Sequence, residues 1–278
     1  MRRLTAPDAG VSWKLHSEVA LLLGWASAIL LQFAHPLVAR GVADHSGFRG
    51  GVRAPWQRLH RTLGAMLALT FGGEEGAARA ARGINAIHDR VHGRLAQPEG
   101  LYHAGATYSA HDPALLRWVH ATCLHAFIRA YECYVAPLRP EERDRYCAES
   151  SAVEPLLGIP DGYLPRSAAE LSAYLGAMLA SGEIVVTDTA RRLAGEMLAP
   201  PGFRWLWPAT WMFRVTALGL LPAPIRDAYG HRWAPRHERA LRLLAWSVRH
   251  ALPLLPSALR HWPAARAAHR RAPYGHAG

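Results

Sequence analysis

The chain has 278 residues and a formal net charge of +11; half of it is hydrophobic and 19% is charged. That apolar content excludes an intrinsically disordered chain. Three cysteines (Cys123, Cys133, Cys147) with no CxxC pair exclude a disulfide scaffold and a cysteine-rich zinc site, and they fit a reducing, cytoplasmic setting.

Arg2 and Arg3 precede a polar, proline-containing stretch with no small-residue cleavage site after it, so residues 1–14 read as a flexible N-terminal segment and not as a signal peptide. Val19 to Ala34 is the most apolar stretch. At about 16 residues, interrupted by Ser27 and Gln32, it falls short of the roughly 20 that a membrane span needs and reads as a buried core helix. Val19, Leu22, Leu23, Ala26, Leu30 and Phe33 keep helical spacing along it. His35-Pro36 ends or kinks that helix, and the His35 ring is expected to satisfy backbone groups there. Gly41 to Ala54, with four glycines, reads as a loop.

A second helix starts near Pro55 and carries Leu59, Leu63, Met66 and Leu67 to Gly72-Gly73. A third covers Glu74 to Leu95, with Ala80, Ile84, Ile87 and Val91 on one face, and Gln97 to His111 reads as a loop. Asp112-Pro113 opens a fourth helix, Asp as N-cap and Pro in the first turn, that runs to Tyr134. Pro140-Glu141-Glu142 begins a fifth, and Ser167 to Glu170 forms a capping box for a sixth. Helical patterns follow at 188–198, 209–220, 222–229, 235–251 and 257–268, whereas the single β-like run, 183–187, is too short to build a sheet. The expected fold is all-α: one large domain of about ten helices over residues 15–255, then a basic C-terminal helix and tail over 256–278.

Lys14 is the only lysine among the 32 basic residues. The arginines are dispersed and not gathered into a stripe or arm interleaved with aromatics, so no nucleic-acid partner is expected. The densest run, Arg260, Arg266, Arg270 and Arg271, reads as a solvated tail. Phe203 to Arg214 is strongly aromatic and suits a core helix, the mouth of a hydrophobic channel, or peripheral contact with a membrane surface.

Sixteen histidines is a high count, and spacing singles out two clusters. His88 and His92, at i and i+4, would share one face of the third helix. The zincin pattern they evoke places Glu after the first His, where this chain has Asp89, and no third ligand follows. Arg58, Arg61 and Thr62, at i, i+3 and i+4, share a face of the second helix; turned inward, such cations need an anion such as a cofactor carboxylate.

In order and spacing these elements resemble the family of latex-clearing rubber oxygenases and the MpaB oxygenases, also labelled DUF2236, in its bacterial branch. The residues that carry the resemblance are Leu30-Leu-Gln-Phe-Ala-His35-Pro36, Asp44-His45-Ser46, Arg58-x-x-Arg61-Thr62, Ile84-Asn-Ala-Ile-His88-x-x-Val91, and Tyr108-Ser-Ala-His-Asp112 continuing through Trp118, His120 and Thr122. Arg129-Ala-Tyr131-Glu132 and the segment from Leu138 to Tyr146 match as well.

The resemblance implies an all-α fold enclosing a haem b pocket, with His88 as the iron ligand. The family's Arg-x-x-Lys-Thr falls on Arg58, Arg61 and Thr62. Its lysine can reach the iron, but Arg61 has no lone pair to offer. Arg61 would instead donate hydrogen bonds to dioxygen or to a propionate, and Arg58 would serve a propionate. His45 in the glycine-rich loop, where Gly47, Gly50 and Gly51 permit close backbone contact, and His120 on the fourth helix are further cofactor-binding candidates. His120 is equally read as a satisfied core histidine. Thr62 would shape the pocket, and Asp44 or Glu18 would supply a catalytic base.

The implied reaction is oxidation, with dioxygen, of a hydrophobic small molecule, with isoprenoid-like compounds as one candidate class. A helical haem- or lipid-binding protein without turnover, and a helical nucleic-acid or partner-binding protein, are the alternatives.

Overall fold

Two apolar helices crossing at small residues set the frame. The computed structural model describes residues 10–45, 53–198 and 207–271, without the side chains of 53–59 and 207. Helix α1 (Val11–Ser17) and a 3-10 turn lead into α2 (Leu22–Phe33), which buries Gly24, Ala26, Ser27, Ala28, Leu30, Leu31 and Phe33. A helix apolar on nearly every side belongs in a core. Its partner is α6 (Pro113–Tyr134), started as its sequence predicts: Asp112 accepts the Ala114 N–H at 2.8 Å and Pro113 occupies the first turn.

Where α2 and α6 cross, a Cβ on Gly24 would stand 2.5 Å from Ala130 Cβ and 2.9 Å from the Ala126 carbonyl oxygen. We therefore expect Gly24→Ala to destabilise the protein by about 1–3 kcal/mol through overpacking, read as a lower urea midpoint at unchanged slope.

After His35-Pro36 the chain bends by 106° into α3 (Pro36–His45). The break at the proline is as predicted, but α3 is helical where the glycine count suggested a loop from Gly41. Next come α4 (Arg53–Phe71) and α5 (Gly73–His88), which pack on each other across the Gly72–Gly73 turn. An antiparallel hairpin of β1 (His92–Arg94) and β2 (Thr107–Ser109) follows, with Gly93 opposite Tyr108. Beyond α6 lie α7 (Pro140–Ser150), α8 (Glu154–Leu157), α9 (Ala168–Ala180), α10 (Asp188–Leu198), α11 (Trp207–Gly219), α12 (Ala223–Ala228), α13 (Pro235–Ala251), α14 (Ser257–Arg260) and α15 (Pro263–Arg271).

The main core gathers Leu15, Leu30, Phe33, Trp118, Phe127, Tyr146 and Leu193 from α1, α2, α6, α7 and α10. Helix α11 covers α2, and α13 covers both α6 and α11. The result is one mostly helical domain. No single helix among the described residues is long and apolar enough to cross a membrane.

Four expectations are corrected. Residues 11–14 belong to α1, whose Leu15 is fully buried, and are not a flexible segment. Among the described residues, strands stand at 92–94 and 107–109, where helix and loop were expected, and 183–187 builds no sheet, as expected. The third helix stops at His88 instead of Leu95. The C-terminal helix is broken at Pro263, and its two pieces are held to the domain: Ala265 and Ala268 bury against Phe71 of α4, and Arg260 forms a buried ion pair with Glu18. Arg270 and Arg271 are exposed as expected.

Candidate active site

The α4–α5 hairpin brings the two sequence clusters to one level. Arg61 and Ile84 each lie eleven residues from the Gly72–Gly73 turn, roughly 17 Å at 1.5 Å per residue. Arg58 is level with the His88 end, although its side chain lies outside the described residues. Arg61 and Thr62 are exposed on α4, and neither lacks a partner.

His88 closes α5. Its Nδ1 is fully buried without a hydrogen-bond partner among the described residues, and the His111 ring stands edge-on to the His88 ring at 5.7 Å. Burial, then the neighbouring His111, lowers the His88 pKa, against the opposing pull of Asp89. The imidazole is therefore held neutral, the form that can ligate a metal. His111 is itself tied to Asp89 at 2.8 Å. It escaped the sequence reading because a loop histidine carries no periodic signal.

His92 does not join His88. Helix bonding tightens after Asn85, with Arg90 N–H on the Ile87 carbonyl and Val91 N–H on that of His88, and the chain then enters β1. Val91 is apolar because it packs toward α3, where it sits 3.5 Å from the Cβ position of Gly41. Gly93 must stay small, since a Cβ there would stand 2.6 Å from the Tyr108 hydroxyl. The shared helical face expected of His88 and His92 therefore does not exist. No group of three or more His, Cys, Asp or Glu side chains able to hold a metal ion occurs among the described residues.

Helix α6 contributes His120, whose Nε2 is fully buried with no partner. Burial drives its pKa down to about 4. One turn on, burial raises the Cys123 thiol to about 12, although Gln32 of α2 donates to its sulfur at 3.2 Å. His120 and Cys123 nonetheless keep accessible surface, as do Trp25, Ile29 and Met66, which pack against the same core.

His16 of α1, which no motif or spacing singles out, bridges Thr70 of α4 and Tyr146 of α7, at 2.8 Å each. Because the Thr70 hydroxyl donates to the Met66 carbonyl, His16 donates from Nδ1 and accepts the Tyr146 O–H at Nε2. Burial, then His120, lowers the His16 pKa to about 4, which keeps that neutral tautomer.

Asp44 and His45 end α3 against the hairpin. The Tyr108 hydroxyl donates to Asp44 at 2.6 Å, and Arg40 pairs with the same carboxylate through Nε at 2.9 Å and through Nη2. His45 donates from Nε2 to the His92 carbonyl at 3.0 Å and lies 3.2 Å from the Tyr108 oxygen. Gly47, Gly50 and Gly51, and residues 203–206 of the aromatic run, lie outside the described residues.

Burial works to raise the Asp44 pKa, but the hydrogen bonds from Arg40 and Tyr108 outweigh it and the net shift is downward. A depressed carboxylate pKa stabilises the fold above the unfolded-state value, and that contribution disappears as pH falls through the folded-state value. Tyr108→Phe is accordingly expected to cost about 1.5–3 kcal/mol at neutral pH. In chemical unfolding, the gap from the parent protein should close once Asp44 is protonated.

Two further expectations are revised. Glu18, proposed as a base, is 3% exposed and is taken up by Arg260 at 2.6–3.0 Å. His35 does not cap its helix: Nδ1 is buried without a partner and Nε2 lies 3.4 Å from the Tyr102 hydroxyl. Lys14 pairs with Glu142 at 2.8 Å, so it is committed to the α1–α7 surface and cannot replace the family lysine.

A family model described as "ER-bound oxygenase mpaB/B'/Rubber oxygenase, catalytic domain" matches residues 13–250. Two proteins named as uncharacterized, Mb2261 of Mycobacterium bovis and Rv2237 of Mycobacterium tuberculosis, are each 26% identical to this chain over 235 residues. The alignments cover 83% of this chain and 88% of each relative. No solved structure gives a significant match.

Proposed function

The chain belongs to the mpaB and rubber oxygenase catalytic-domain family, which supports oxygenase activity broadly, and from that premise we propose that it is a haem b-dependent oxygenase of hydrophobic, isoprenoid-like small molecules. The observation that carries this reading is the pair of imidazoles, on α5 and α6, that each bury a ring nitrogen with no hydrogen-bond partner among the described residues: His88 Nδ1 and His120 Nε2. Buried polar atoms without partners are rare and call for an explanation. Two neutral imidazoles, together with apolar core side chains such as Trp25, Ile29 and Met66 that keep accessible surface, support this reading.

His88 is assigned as the iron ligand, in the place the family resemblance gives it, and Arg58 as the partner of a propionate. When bound, the haem supplies the activation of dioxygen, while the chain supplies position and polarity. Arg61 presents a guanidinium, which has hydrogen-bond donors and no lone pair for a metal, and donates hydrogen bonds there. Thr62, exposed beside it on α4, is given the pocket-shaping role that the family resemblance implies. His120 stays neutral and presents imidazole to the interior, while Trp25, Ile29 and Met66 keep that space apolar. Asp44, held by Arg40 and Tyr108, anchors α3 to the hairpin and so positions His45; it is not assigned as the base.

The test is the absorption spectrum of the full chain produced with ample haem supply, before and after dithionite and carbon monoxide. A Soret band that shifts with each addition is expected, together with dioxygen uptake on an isoprenoid panel. A colourless protein overturns the proposal. The donors that occupy Asp44, Arg40 and Tyr108, favour one other reading, haem binding without turnover, in which the Soret band is present and dioxygen uptake is not.

A further inference from the structure

Three arginines without a carboxylate partner surround a cavity of about 450 Å³ between α11 and the start of α13. Arg214 comes from α11, Arg232 from the turn after α12, and Arg236 from the first turn of α13; the indoles of Trp211 and Trp233 complete the walls. Among the described residues none of these guanidiniums forms an ion pair. Glu238 accepts the Trp233 N–H at 2.9 Å and is already paired with Arg242.

The lining is organised for an anion. Helix α13 is 17 residues long and points its positive end at the cavity, with Arg236 and His237 in its first turn. His237 accepts the Ala234 N–H through Nδ1 at 3.0 Å, which fixes its ring. Arg226 stacks over Trp233 with its guanidinium carbon 4.6 Å from the ring centre, so that indole too is held in place. Burial, then Arg236 and Arg214, lowers the His237 pKa, a sign that positive potential converges here. The volume lies in the range of small-molecule sites, roughly 300–1,000 Å³.

We propose that this cavity binds a phosphate or diphosphate ester of an apolar chain, the anionic head on Arg214, Arg232 and Arg236 and the chain on the two indoles and Leu218. A carboxylate would neutralise one of three cations, whereas a diphosphate can neutralise all three and offers oxygens in the geometry that guanidinium forks match. The site uses none of the residues assigned to the haem, so it stands or falls apart from that assignment.

Calorimetric titration of the full chain at low salt, with geranyl diphosphate, geraniol and inorganic diphosphate, tests the proposal. Geranyl diphosphate should bind at least about tenfold more tightly than either fragment, and Arg214→Gln/Arg232→Gln should weaken it by about tenfold or more. Both arginines are exposed, so the melting transition should be kept; Arg236→Gln, also at an exposed position, gives the same readout should the double variant lose it. Sedimentation with phosphatidic acid vesicles identifies the source. Arginine-dependent sedimentation assigns a bilayer lipid, and its absence alongside geranyl diphosphate binding assigns a soluble ester. Geraniol binding as tightly as its diphosphate, no binding to either form, or affinity unchanged in the variants overturns the proposal.

Discussion

His88→Ala should lower the haem retained per protein by at least about tenfold, as loss of a metal's protein ligand does, while the melting midpoint moves by only a few degrees. The small effect on folding follows from the contacts: His88 Nδ1 has no hydrogen-bond partner among the described residues, and the ring's aromatic neighbour is the edge of His111 at 5.7 Å. Exogenous imidazole should restore the Soret band to the variant, an outcome that a merely structural histidine would not give. His120→Ala should keep its haem and change the ligand-binding spectrum instead, because its buried Nε2 faces the interior from α6. The reverse pattern, haem lost with His120 and kept without His88, would move the iron ligand to α6. His111→Ala removes the ring beside His88 and its bond to Asp89, and should shift the band without abolishing it.

Several helices were legible because their signals are local. Asp112-Pro113, Pro140 and Ser167 mark helix starts that the structure keeps, and 188–198 and 235–251 are helical as spaced. The errors arise where an apolar residue serves tertiary packing. Val91 continues the periodicity of Ala80, Ile84 and Ile87 by coincidence, because its partner is Gly41 on another helix, and the helix appears seven residues too long. Gly41 is glycine in the interior of α3 and not the start of a loop; it lies against Val91 and Tyr108. Of the site, His88 and His120 were visible as positions within a family pattern. The hydrogen bonds that decide roles were not. Tyr108 reaches Asp44 across 64 residues, and His16 reaches Tyr146 across 130. Asp44 therefore looked like a base until its donors were seen.

The longest-range of these contacts makes the largest stability prediction. Arg260 grips Glu18 through Nε and Nη2 at 2.6–3.0 Å across 242 residues, with the carboxylate all but excluded from water. The same junction carries a bridge between Glu18 and His261 and the Trp262 N–H on the Ser17 carbonyl at 3.1 Å. Removing one partner of a buried pair leaves an uncompensated charge, at a cost of about 3–5 kcal/mol. His261, 3.5 Å from the carboxylate, can compensate in part, so Arg260→Ala should cost about 3 kcal/mol and lower the melting midpoint by roughly 6–12 °C. A solvated tail would give less than about 0.5 kcal/mol. The double change Glu18→Gln/Arg260→Met removes both charges and should recover more than half of the loss, since most of the penalty belongs to the stranded carboxylate and not to the pair. Recovery in the double variant, set against a large loss in the single one, would identify the C-terminal segment as a clamp that closes the start of α2 and the main core behind it.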